Sequence, residues 1–142
     1  MVETQIAANK VRAYRASDYR IVFSGQAIVL QPGLRSAQVA QLFATHGANC
    51  GAFITTFNPQ GAQRSTAENE QAHQQLLTNI ESQGLKCLDG EGSEAGTDWL
   101  AEKSCFALGL GRSDAIKIGS LFDQDAIVWV GESALPELVL LR

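Results

Sequence analysis

The eight residues Cys50 to Phe57 (Cys-Gly-Ala-Phe-Ile-Thr-Thr-Phe) carry no charge and show no alternation of apolar with polar side chains. A strand with one wet face alternates at every second residue, whereas an unbroken apolar run this short suits a strand covered on both faces. Asn58-Pro59 ends the run, because proline cannot donate to a ladder and pushes the preceding residue away from helical geometry. The rest of the chain must supply the cover.

On either side the pattern changes period. Residues 4–16 place Ile6, Val11 and Tyr14 among Ala, Lys and Arg, a loose helical pattern whose cations Lys10, Arg12 and Arg15 are expected to face water. Residues 19–23 and 27–30 are β-type runs around Ser24-Gly25-Gln26, which predicts a hairpin. Ser36 is a suitable N-cap for a helix carrying Val39, Leu42 and Phe43, and Gly47 a suitable terminator. Ser65-Thr66-Ala67-Glu68 has capping-box spacing and predicts a helix to about Gln83, stopped by Gly84. A short strand is expected at 85–88, an acidic Gly-rich loop over 89–98, a strand over 104–110, a helix capped by Ser113 through Phe122, and strands at 126–130 and 138–141. β-Hairpins at the ends with helices between them argue an α+β (or mixed α/β) fold. The expectation is a single domain over 1–142, with an N-terminal helical segment at 1–18 and three to four helices packed on a mixed β-sheet.

Composition removes several functions. A chain of 142 residues can bury roughly 70% of its unfolded surface, enough for one core. The first 35 residues hold five cations (Lys10, Arg12, Arg15, Arg20 and Arg35) against Glu3 and Asp18, but the whole chain has net charge −4. A basic stretch this short on an acidic body argues against nucleic acid as a partner. Cys50, Cys87 and Cys105 are odd in number and widely spaced, so neither a disulfide framework nor a zinc ribbon fits, and buried free thiols are expected. Only His46 with Cys50 approaches metal-ligand spacing, and a helix ending at Gly47 separates them, so no metal is expected. No dinucleotide fingerprint, phosphate loop or nucleophile elbow occurs, and no cofactor is expected. The start of the chain does not read as a signal peptide and no apolar run reaches 18 residues, which leads to the expectation of a cytoplasmic protein that does not enter a membrane.

Polar residues beside apolar runs remain as site candidates. Asn69, His73, Leu76 and Ile80 fall on one helical stripe, so Asn69 and His73 are expected on the buried side of the first turns or at its rim. Asn69 can then either serve a ligand or bond to the Asn58-Pro59 loop and fix it. Thr55 and Asn58 stand at a strand end, where ligands bind in helix-covered sheets, and a helix starting at Ser65 could aim free N–H groups at an anion there. The alternative for Asn58 is an Asx turn that satisfies its own backbone. Glu102 sits at the lip of a strand beside Trp99, in surroundings that would raise its pKa and suit a general acid or base. Lys103 should point to the opposite face. Gln124 is the residue of Phe122-Asp123-Gln124-Asp125-Ala126 expected to point inward, with Asp123 and Asp125 as solvated charges beside it.

The pattern Ile54-Thr55-x-x-Asn58-Pro59, Ser65-x-x-x-Asn69, Trp99-x-x-Glu102-x-Ser104 and Phe122-x-Gln124-x-Ala126-Ile127 resembles a family of small bacterial proteins classed only as a domain of unknown function. The likeness runs from about Tyr14 to Val130. Phe57, where members often carry Trp or Tyr, and the charged Asp123-Gln124-Asp125 depart from it. The resemblance implies no activity, cofactor or substrate.

Together these residues lead to the expectation that Thr55, Asn58, Asn69, Glu102 and Gln124 converge on one pocket for a small polar or anionic ligand, with Glu102 as the one group suited to acid–base chemistry. The alternative is a structural or protein-interaction module without catalytic activity, in which the same side chains bond to one another and the N-terminal helix or a sheet edge meets a protein partner. Side chains open to a cavity favour the first, and mutually bonded amides the second.

Overall fold

The computed structural model describes residues 4–93 and 102–142. Its elements are, in order, α1 (Ala8–Ala16), β1 (Asp18–Phe23), β2 (Gln26–Leu30), α2 (Ala37–His46), β3 (Gly51–Thr55), α3 (Thr66–Ser82), β4 (Lys86–Ser93), β5 (Glu102–Leu108), α4 (Arg112–Leu121), β6 (Ala126–Val130) and β7 (Pro136–Leu140), with a 3-10 turn at Pro59–Gly61 between β3 and α3. The fold is α+β, as the hairpins at the ends indicate.

The strands form one seven-stranded sheet in the order β2-β1-β4-β5-β3-β6-β7. Every pairing is antiparallel, not mixed as the sequence suggests. The reason lies in the crossovers. β3-α3-β4 links two parallel strands, but β5 lies between them, and β5-α4-β6 links two more with β3 between them. Each inserted strand runs against both neighbours, so two interlocked split βαβ units leave no parallel pair in contact. This is the connectivity known as ferredoxin-like. Here the β1–β2 hairpin extends one edge and β7 the other.

Alternation along the strands sends side chains to two cores. Phe53, Phe106, Leu88, Val128 and Val130 face α2 and the hairpin, where they meet Val39, Leu42, Phe43, Ile21 and Leu30. Ala52, Ile54, Cys105, Ala107 and Ile127 face α3 and α4, against Leu76, Ile80, Ala115 and Ile118. β3 is thus buried on both faces, as its unbroken apolar run requires. Each fully buried Leu, Ile or Phe contributes roughly 1.5–3 kcal/mol through area removed from water.

Local signals hold where chemistry is local. Ser65 and Glu68 complete the capping box of α3, Ser36 accepts from the Val39 N–H, and Gly47 closes α2 at φ 65°. Two boundaries differ. Ser113 does not cap α4, whose N-cap is Gly111 with extended backbone and no side-chain bond, so the helix starts at Arg112. β4 continues through Asp89, Gly90, Glu91, Gly92 and Ser93, where the sequence reads as loop, and residues 94–98 of that expected loop lie outside the described residues. The glycines serve close packing here: a Cβ on Gly90 would come within 2.8 Å of the Phe53 ring and 2.9 Å of the Arg20 carbonyl oxygen. Among the described residues no helix is long and apolar enough to cross a membrane.

Candidate functional site

The face of the sheet that packs on α2 is left open at its other end. There the carboxyl ends of β3 and β4 meet the amino ends of β1, β5 and β6, because an antiparallel sheet has no common carboxyl edge. α1 runs along the opening, with Asn9, Lys10, Ala13 and Tyr14 on its inner side at helical spacing, and encloses a cavity of about 480 Å³. The floor is apolar, formed by Phe53, Val128 and Leu138; Thr55, Asn58, Ser93 and Glu102 stand at the rim, and the buried Ser104 and Gln124 line the wall.

Asn58 organises one wall. Its backbone is left-handed, at φ 46° and ψ 65°, a conformation that Asn tolerates better than most residues. Its N–H donates to Asn69 Oδ1 at 3.0 Å, and Asn69 Nδ2 donates back to Asn58 Oδ1 at 3.0 Å. The same Oδ1 accepts from the Arg64 N–H at 3.0 Å, which closes the loop between β3 and α3 in place of an Asx turn. Asn58 Nδ2 is then aimed at Glu102 Oε2, 3.0 Å away. Asn69 is buried on α3, behind the sheet, and does not line the cavity. It fixes the loop, which is the second of the two roles its position allowed.

Glu102 opens β5 and lines the cavity. Burial raises its carboxyl above the usual range, and the bond from Asn58 offsets part of that rise. Lys103 points to the other face and pairs with Glu70 of α3 at 3.2 Å. Trp99, the aromatic neighbour in sequence, lies outside the described residues.

Thr55 lines the same cavity, but its hydroxyl is engaged: it donates to the Lys103 carbonyl at 2.9 Å and accepts from the Phe57 N–H at 3.1 Å. Gln124 is buried, as its place in the sequence suggests, and its Nε2 lies 3.4 Å from both the Phe57 and Phe122 carbonyl oxygens. Of the five candidates, four line the cavity and Asn69 supports them from behind.

Asp125 differs from the solvated charge expected at its position. It is almost fully buried, not solvated, and it accepts from the Tyr14 hydroxyl at 2.6 Å and from Arg142 Nε at 2.6 Å, with Lys10 Nζ at 3.8 Å. Burial opposes its charge, yet Tyr14, Arg142 and Lys10 together hold its pKa below the usual carboxylate range. Lys10 correspondingly turns inward and also donates to the Gln60 carbonyl at 3.1 Å, while Arg12 and Arg15 face water. No sequence signal separates Asp123 from Asp125, since the backbone of Asp123 reverses at φ 55° and only the sheet decides which of the two turns inward.

Cys50, Cys87 and Cys105 are free thiols, with Cys105 buried and the other two half-buried. Among the described residues no three His, Cys, Asp or Glu side chains converge as metal ligands. His73 is buried with its pKa lowered, chiefly by burial, and its Nδ1 has no partner among the described residues. Of the five N-terminal cations, Lys10 is bound at Asp125 and Arg20 pairs with Glu91 at 3.2 Å.

Fold and site together define a class: a ferredoxin-like α+β domain, extended at both sheet edges, with a helix-walled cavity on the open face. Within that class the chain belongs to the family described as protein of unknown function (DUF3293), whose model matches residues 54–127, just over half of the sequence. The matched segment contains Asn58, Asn69, Glu102, Gln124 and Asp125, whereas α1 lies before it. No curated protein and no solved structure matches the chain.

Proposed function

We propose that this protein binds a small polar ligand in the cavity between α1 and the open face of the sheet. The observation that carries the reading is Glu102: a half-buried carboxylate at the cavity wall, oriented by Asn58, which Asn69 and the Arg64 N–H orient in turn. Layered support of this kind is what holds a binding group to a defined geometry. The cavity volume lies within the range of small-molecule sites, and an apolar floor with a few polar groups at the rim is their usual composition. An anion at the start of α3 is disfavoured, because the capping box fills that helix end and puts the Glu68 carboxylate there.

A thermal-shift screen of amino acids, nucleosides and sugar phosphates tests the reading in two proteins, wild type and Ala13→Trp. The tryptophan would project from α1, which buries none of its own residues, into the cavity toward its floor. A ligand of the cavity raises the melting temperature with concentration, by the equivalent of about 2.7 kcal/mol at a hundredfold excess over Kd, and loses that effect in Ala13→Trp. No shift with any compound, or equal shifts in both proteins, rejects the cavity as the binding site.

A second reading, a protein-interaction module, draws on the reciprocal Asn58–Asn69 bonds and on Val22 and Val29, which are exposed on the outer face of the β1–β2 hairpin beside a sheet edge. It predicts that Val22→Lys abolishes capture of a protein partner and leaves ligand-induced stabilisation unchanged.

A further inference from the structure

The charges and rings of the cavity specify the ligand more closely, on the premise that the cavity is a binding site. Among the described residues three ionisable side chains with a formal charge line it: Lys10, Glu102 and Asp125. Asp125 is already matched by Arg142 and Lys10, and Lys10 is further engaged by the Gln60 carbonyl. Glu102 has only the neutral amide of Asn58 among the described residues. Glu102 is therefore the one lining carboxylate that no cation contacts among the described residues.

The walls add to the same preference. Tyr14, Tyr19, Phe53 and Phe57 all line the cavity, and they include both tyrosines of the chain. Tyr19 and Phe53 meet edge to face, with centroids 5.4 Å apart at 74°, so they form a corner of two differently directed rings. Neither tyrosine offers its proton to a ligand: the Tyr14 hydroxyl donates to Asp125, and the Tyr19 hydroxyl donates to the Tyr14 carbonyl at 2.5 Å. What they add to the lining is aromatic carbon, and an aromatic ring is negative over its face. An anion would meet a carboxylate and aromatic faces with no tyrosine donor to hold it. A cation is attracted by both, and aromatic walls beside a carboxylate are the arrangement that suits alkylated ammonium groups.

We infer that the ligand is a small organic cation, an alkylammonium or methylated amine seated against Glu102 and the Tyr19–Phe53 corner. Its polar remainder would face Ser93 at the rim and Ser104 and Gln124 in the wall.

Calorimetric titration of the full chain with choline, and with 3,3-dimethylbutan-1-ol, separates charge from shape, since the alcohol replaces the quaternary nitrogen with carbon and is neutral. Choline is expected to bind at least tenfold more tightly, to lose most of that advantage in Glu102→Gln, and to be excluded by Ala13→Trp. Equal or tighter binding of the alcohol overturns the inference, as does binding of acetate or inorganic phosphate in place of choline. Absence of choline binding also overturns it. The cavity reading stands or falls separately on the screen, because a neutral or anionic compound that stabilises wild type and not Ala13→Trp would keep the cavity as a binding site and reject the cation.

Discussion

Burial makes Glu102 harder to ionise than in water and the single amide donor of Asn58 offsets only part of that, so the folded chain holds that proton to higher pH than the unfolded chain does. The associated stability is full below the unfolded pKa and is lost as pH rises through the folded one. Glu102→Gln keeps an acceptor for Asn58 and removes the titration. In urea melts from about pH 4 to about pH 7 the variant should therefore gain steadily on wild type, and a pH-independent difference would mean that the carboxylate is solvated. Asn69 differs in kind. Asn69→Ala leaves the Asn58 N–H without its partner in a half-buried loop, and should cost roughly 1–3 kcal/mol at every pH in the same melts. Glu102 and Asn58 were legible as residues because polar groups beside apolar runs are few in this chain. Their connection was not, since 44 positions separate them and only strand pairing brings the two together.

Among the elements α1 is the least firmly held. It buries none of its own residues and its N-cap, Ala7, makes no side-chain bond. It docks through polar ties: Tyr14 to Asp125, Lys10 to Gln60 and Asp125, and the Tyr19 hydroxyl to the Tyr14 carbonyl. Tyr14→Phe removes the bond to a carboxylate, worth about 1.5–3 kcal/mol, and the loss should be local. Amide exchange over residues 8–16 is expected to quicken while β3 and β5 keep their protection. If exchange quickened across the sheet as well, α1 would be part of the cooperative core and not a separately opening wall. β4, by contrast, is firmly paired on both sides. Its alternating Gly and acid resembles a turn-rich loop in sequence, yet between β1 and β5 the glycines admit the Phe53 ring and the ladder satisfies the backbone.

At the scale of the molecule Asp125 joins parts distant in sequence. Its side chain binds Tyr14 of α1 and Arg142, and its carbonyl accepts from the Leu141 N–H at 2.8 Å, while the Thr4 hydroxyl donates to the Arg142 carbonyl. With its pKa held below the unfolded value, Asp125 contributes stability above that value and loses it as pH falls through the folded one. Asp125→Asn should cost roughly 1–3 kcal/mol near neutrality, and the gap to wild type should close as both are acidified below about pH 4. Melting temperatures followed by circular dichroism across that range report it. A gap that persists unchanged in acid would assign the loss to packing and not to the charge.

Whatever depends on neighbours within a turn or a strand was determined by the sequence alone: the capping box at Ser65, the Gly47 stop, the hairpin at Gly25, the doubly buried β3 and the α+β class. These follow from hydrogen bonds and periodicities that span a few residues, and no distant contact has to be known. The interlocking of the two βαβ units, the inward turn of Asp125, the placement of Asn69 behind the cavity and the four aromatic walls were decided only by the tertiary structure. Each depends on which strand inserts between which, and that choice is made by the burial of two faces at once, a property of the assembled sheet that no short window of sequence contains.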